Sequence, residues 1–206
     1  MKVVSVTKAK QHLYTICFDD GQSGSIDKTV WEHSGLTVDA EIDDAAWDAL
    51  CERSQVYRAK EKALYYLSLR DYGSGELRAK LRQAGIDKTL AESTVARLCE
   101  SGLIDDARYA AALARDMSER KLYPKRRVAM ALREKGFSAE DIEQAIEKLD
   151  AQEAQQALEL LYKKRYNGKS DAKSKEKALA MLARYGFSYA VSKQALSMWD
   201  AENDED

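Results

Sequence analysis

The sequence predicts a mostly α-helical fold: three tandem three-helix repeats forming an elongated crescent, preceded by a small N-terminal antiparallel β element. Three observations carry this expectation. The chain has one proline, Pro124, and ten glycines in 206 residues, which leaves few breaks for helices. Its first 30 residues are rich in β-branched and aromatic positions, unlike the remainder. The remainder contains an internal repeat.

The β element is read from Val3-Val4-Ser5-Val6 and from Leu13-Tyr14-Thr15-Ile16-Cys17-Phe18. Asp20-Gly21 follows as a hairpin turn signal, and a third short strand is expected through residues 23–26. A sheet this small needs a covering surface, for which Trp31 and Leu36 are the candidates. From Asp43 or Asp44, either of which can cap a helix, the apolar spacing becomes helical through Ala46, Trp47, Leu50 and Cys51, then Ala59, Ala63, Leu64 and Leu67.

The repeat is seen in ELRAKLRQAGI, RRVAMALREKGF and KEKALAMLARYGF. Each places a leucine four residues before a glycine and a large apolar residue after it: Leu81/Gly85/Ile86, Leu132/Gly136/Phe137 and Leu182/Gly186/Phe187. Successive glycines are 51 and 50 residues apart. Ten residues beyond them stand Val95, Ile146 and Leu196, and thirteen beyond stand Leu98, Leu149 and Trp199. The pattern describes a helix ended by a glycine in the left-handed conformation, followed by another helix whose core stripe is the later pair. Ser138-Ala139-Glu140-Asp141 forms a capping box for one copy. A longer helix precedes each copy, at about 56–70, 105–121 and 151–166. Pro124 fits the first turn of the middle copy's second helix, where no donor is lost. Asp105-Asp106 reads as an acidic helix start. Met130, Met181 and Trp199 are expected in the core. The domain boundaries that follow are 1–42 for the β region, 43–104 for a linking helix and the first repeat, 105–150 and 151–200 for the second and third repeats, and 201–206 for an acidic tail.

Catalytic and metal chemistry find no footing in this pattern. The two histidines, His12 and His33, lie in the N-terminal segment, and no His/Cys pair has metal-ligand spacing. There is no phosphate-binding glycine loop of either common type. The expectation is a non-enzymatic binding protein with no cofactor and no metal. Three cysteines without CxxC spacing argue for a reducing compartment. No apolar run reaches membrane-spanning length, so a cytoplasmic protein without membrane contact is expected, and nothing demands more than a monomer.

Charge is the better guide to function. The formal net charge is only −2, but its distribution is uneven. Residues 1–50 carry 4 basic and 9 acidic side chains, whereas residues 51–104 carry 10 basic and 7 acidic. Arg120, Lys121, Lys125, Arg126 and Arg127 form a run of cations between the first and second helices of the middle repeat. Lys163, Lys164, Arg165, Lys169 and Lys173 occupy the same place in the third repeat, and Arg70 and Arg78 in the first. Tyr72, Tyr123, Tyr162, Tyr166 and Tyr185 are interleaved with them. Recurrence at equivalent positions predicts a basic stripe suited to a polyanion or an acidic protein groove.

Several of these motifs resemble the RecX family of bacterial recombinase regulators. They are Ala63-Leu64-x-x-Leu67-x-x-Arg70, Ser74-x-Glu76-Leu77-x-x-Lys80-Leu81-x-x-x-Gly85, Gly102-Leu103-Ile104-Asp105-Asp106-x-x-Tyr109-Ala110 and Leu132-x-x-Lys135-Gly136-Phe137. The resemblance spans residues 55–200. It departs at Gly75, where a basic residue is frequent, and at Lys121-Leu122-Tyr123-Pro124, which lacks the usual glycine before proline. The resemblance implies a helical repeat protein that binds in the groove of the RecA filament. Such a protein modulates filament assembly, ATPase activity and strand exchange, usually as an inhibitor. It also implies weaker binding of single-stranded or double-stranded DNA. On that reading the basic residues above, with Tyr123 between them, contact the partner. A direct DNA-binding module is the alternative, because three-helix units resemble helix-turn-helix domains.

Overall fold

The computed structural model describes residues 1–10, 12–149, 152–166 and 172–203, with the side chains of 172 and 203 excluded. The first three elements form an antiparallel sheet in the order β1 (Val3–Lys8), β2 (Leu13–Phe18), β3 (Ser23–Asp27). Val3 pairs with Phe18 and Ser5 with Cys17, which leaves a bulge at Val4. The Asp20-Gly21 turn forms as expected: Gly21 has φ +85° and the Asp20 carboxylate accepts from the Gln22 amide at 2.9 Å.

What covers the sheet differs from the expectation. Trp31 is buried on an additional short helix, α1 (Lys28–Ser34), and Leu36 contributes only partly. The principal lid is Trp47, from the next helix. Its ring meets Phe18 edge-on at 4.7 Å and sits so close to Gly24 that a Cβ there would lie 2.6 Å from it. Val3, Ile16, Phe18 and Ile26 complete this core with Val30 and Leu50. The buried Ser54 hydroxyl accepts the Asp27 amide at 2.8 Å and so ties the end of β3 to the same helix.

That helix, α2 (Asp44–Leu69), is continuous over 26 residues, or about 39 Å. Asp43 caps it by accepting the Ala46 amide at 2.7 Å. Its first half closes the sheet core; its second half, through Ala59 and Ala63, opens the first repeat with α3 (Ser74–Gln83) and α4 (Lys88–Glu100). The second repeat is α5 (Asp106–Glu119), α6 (Lys125–Glu134) and α7 (Ala139–Glu147); the third is α8 (Glu153–Lys163), α9 (Ala172–Tyr185) and α10 (Tyr189–Asn203). In each repeat the first and third helices are packed partners.

The repeated Leu-x-x-x-Gly-apolar signature is a helix-terminating hydrogen-bond motif. The amides of Ile86, Phe137 and Phe187 donate to the carbonyls of Leu81, Leu132 and Leu182, six residues spanning each loop. Gly85, Gly136 and Gly186 all have positive φ, between 85° and 101°. The leucine is therefore where the returning chain closes, and all three leucines are fully buried. The next helix is then capped two residues after each glycine, by Asp87, Ser138 and Ser188. Only the middle cap was foreseen. Pro124 stands at the N-cap of α6, one residue before the first turn assigned to it, and still costs no donor. Met130 is a correction: it is 51 % exposed on α6 rather than in the core, whereas Trp199 is buried and Met181 partly so.

The chain divides into two compact units, one of Met1–Tyr72 and Leu77–Ser101, the other of Gly73–Glu76 and Gly102–Asp206. Two carboxylates organise helix starts within the second unit. Asp106, in the first turn of α5, accepts the Ser74 amide at 2.7 Å, and Glu153, in the first turn of α8, accepts the Lys125 amide at 3.0 Å. Each places negative charge at the orphan amides of a helix N-terminus.

Candidate functional site

The link between α5 and α6 reverses sharply through Leu122, a non-glycine residue with φ +56°. Its side chain, 2 % exposed, is buried in the core of the third repeat. Burial of a leucine is worth about 1.5–3 kcal/mol, enough to outweigh a left-handed backbone penalty of about 1–2 kcal/mol. The reversal places Tyr123, whose amide donates to the Met117 carbonyl at 3.0 Å, over the first turn of α6.

Arg127 then spans two repeats. Its Nη1 donates to the Tyr185 carbonyl, at the end of α9, at 3.1 Å. Its guanidinium lies 3.9 Å from the Tyr123 ring centroid and 5.0 Å from that of Tyr185. A cation at the last carbonyl of a helix is favoured by the orphan acceptor and by the helix dipole. The third repeat answers from α8: Lys163 Nζ donates to the Arg120 carbonyl at 3.3 Å, and Lys164 Nζ lies 5.6 Å from the Tyr185 ring. The basic runs of the second and third repeats are therefore adjacent on one face of the second unit.

Within that face the roles divide. Lys121, Arg126, Lys164 and Arg165 are exposed to solvent. Arg120 is exposed but paired with Asp116 at 3.1 Å. Lys125, Arg127 and Tyr123 are half-buried, so Arg127 already has protein partners and holds the site together. A cleft of roughly 390 Å³ opens between α6 and the end of α9, lined by Arg126, Arg127, Met130, Arg184 and Phe187. Arg184 lines this cleft but is not among the sequence candidates, because its motif, Arg184-Tyr185-Gly186-Phe187, reads as a helix stop. The exposure of Met130 is explained by the same cleft.

The remaining candidates belong to other elements. Arg70 is exposed at the end of α2, its guanidinium 3.7 Å from the Tyr72 ring centroid, and Arg78 is half-buried on α3. Tyr72 and Tyr123 are 51 residues apart and each carries an arginine over its ring, but from different positions: Arg70 precedes Tyr72 by two residues, whereas Arg127 follows Tyr123 by four. Lys173 is exposed near the start of α9, and Lys169 lies outside the described residues. Among the described residues no three His, Cys, Asp or Glu side chains converge as a metal site, and no helix is long and apolar enough to cross a membrane.

Comparison with known proteins agrees with this architecture. Residues 59–98 match the family model for the first three-helix domain of RecX, and residues 105–146 match that for its second three-helix domain. Regulatory protein RecX of Streptococcus pneumoniae strain Hungary19A-6 is 28% identical over 210 residues, covering 100% of this chain and 80% of that protein. The protein of serotype 19F strain G54 is 29% identical over the same span. A crystal structure of regulatory protein RecX superposes with a TM-score of 0.69 at 25% identity, covering 94% of this chain and 98% of that one. The crystal structure of RecX from Lactobacillus salivarius gives 0.62 at 25% identity over 71% of this chain and 97% of that one.

Proposed function

The chain belongs to the RecX family, and from that premise we propose that it inhibits the RecA recombinase by seating in the groove of the RecA–DNA filament. It is a regulator and not an enzyme. Occupying the groove alters filament assembly, ATP hydrolysis and strand exchange. The observation that supports this reading is the adjacency of the second and third basic links in the second unit, joined through Lys163 and the Arg127–Tyr185 contact. Lys121, Arg126, Lys164, Arg165 and Arg184 are the cations with which it would meet acidic protein surface or phosphate. Arg127 and Tyr123 position them.

The test reverses charge only where the fold does not use it. A Lys121→Glu/Arg126→Glu variant should keep the parent's thermal melt and lose most inhibition of RecA ATPase on single-stranded DNA. Undiminished inhibition by the folded variant would remove this surface from the interaction. Direct DNA binding is the second reading, favoured by the same exposed cations. It predicts a steep loss of affinity with salt and no requirement for RecA.

A further inference from the structure

A separate groove lies wholly in the first unit, where α1, α2 and α4 meet. It encloses about 440 Å³. Arg53, Val56, Tyr57 and Lys60 reach it from α2, at the three- and four-residue spacing that shares one helix face. Val30 contributes from α1 and Arg97 from α4. The floor is aliphatic and aromatic, while the rim carries three cations. Arg53, Lys60 and Arg97 are exposed, and among the described residues their side chains form no ion pair. Among the described residues the only acid on the lining is Glu52. Three cations against one acid leave the rim net positive.

We propose that this groove binds an acidic peptide segment, one that sets an apolar side chain on Val30 and Val56 between carboxylates held by Arg53, Lys60 and Arg97. Charge complementarity sets the sign of the ligand. The floor then chooses among anions: a nucleotide would set a base against Tyr57, whereas the aliphatic surface of Val30 and Val56 suits an alkyl side chain, which a peptide brings together with its carboxylates. Guanidinium groups pair with carboxylates in a bidentate fork, which suits the two arginines. The proposal concerns the first unit and does not depend on the RecA reading, which rests on the second.

The experiment uses the full chain and a fluorescein-labelled twelve-residue peptide of aspartate and glutamate with one central leucine, followed by fluorescence anisotropy. The same peptide with glycine for leucine, and a twelve-nucleotide oligothymidylate, are run alongside. Saturable binding of the leucine peptide is expected, weakened about tenfold in Arg53→Glu/Arg97→Glu and several-fold by the glycine exchange. Oligothymidylate binding should be unchanged by the double substitution. Circular dichroism checks that the variant folds, and Arg53→Gln/Arg97→Gln replaces it if it does not. Failure of the leucine peptide to bind, or equal binding by parent and variant, overturns the proposal. So does loss of oligothymidylate binding with peptide binding intact, which would make the groove a nucleic-acid site.

Discussion

Replacing Gly75 by alanine separates what local propensity says from what packing says. Gly75 is the second residue of α3, and alanine in a helix is preferred to glycine by about 1 kcal/mol. Propensity alone predicts stabilisation. The structure predicts the opposite. A Cβ at Gly75 would lie 2.7 Å from the Gly136 carbonyl oxygen, 3.1 Å from its Cα and 3.2 Å from its carbonyl carbon. All three are backbone atoms, so no side chain can rotate away. Nor can α3 retreat freely: the Ser74 amide is held by Asp106 at 2.7 Å, and a Cβ on Gly73 would already stand 3.0 Å from the Phe137 ring. Overpacking of this kind costs about 1–3 kcal/mol. Set against the propensity gain, the net loss is up to about 2 kcal/mol, or a fall in Tm of up to about 8 °C for a chain of this size. Thermal and urea unfolding followed by circular dichroism at 222 nm would measure it. Gly85→Ala is the control: its φ is +85° but nothing lies within 4 Å of the added Cβ, so it reports left-handed strain without the steric contact. A Gly75→Ala protein that melts at or above the parent temperature refutes the reasoning, and with it the seating of Gly73–Glu76 on the end of α6.

Leu132→Ala should destabilise by about 2–5 kcal/mol in urea unfolding, because Leu132 is fully buried where the returning chain closes on α6. Arg165→Gly should stabilise by about 1 kcal/mol, since Arg165 holds φ +54° at the end of α8, a conformation glycine adopts without penalty; the same change should weaken partner binding if the residue is retained for its charge. Asp87 should make α4 acid-sensitive. The amides of Leu90 and then Thr89 donate to its carboxylate and hold it below the ordinary aspartate value of 3.8. Its stabilisation is therefore complete above that value and is lost as pH falls through the lower folded one. Asp87→Asn keeps a capping oxygen but removes this dependence, so an acid titration of helicity should lose a component below pH 4; an unchanged acid profile would count against the cap.

The candidate site was legible by composition but not by role. Arg127 reads in the sequence as one cation in a run, indistinguishable from Arg126 beside it. The first-turn geometry of α6 aims Arg127 at the end of α9 and leaves Arg126 in solvent, and a one-residue difference on a helix is a rotation of about 100°. Arg184 was hidden for the converse reason, its neighbours Tyr185 and Gly186 having a sufficient structural explanation. Trp47 was placed on a helical stripe correctly, but its service to the sheet depends on the absence of a side chain at Gly24, 23 residues away. Likewise Met130 has a core residue's chemistry and a surface position, because α6 turns that face to a cleft instead of a neighbour.

The sequence by itself determined the helical class, the repeat and its period, the turn of the β hairpin, and the leucines that would be buried. These are local matters: they follow from periodicity, from the backbone freedom of glycine, and from hydrogen bonds that close within six residues. Only the tertiary structure decided which cations are spent on holding repeats together and which face solvent, where α3 and α6 take their carboxylate caps, and that a second basic groove exists between α1, α2 and α4. Each of those joins residues tens of positions apart. Their meeting depends on how helices pack, and no pattern along the chain encodes a distance between two side chains that only packing brings together.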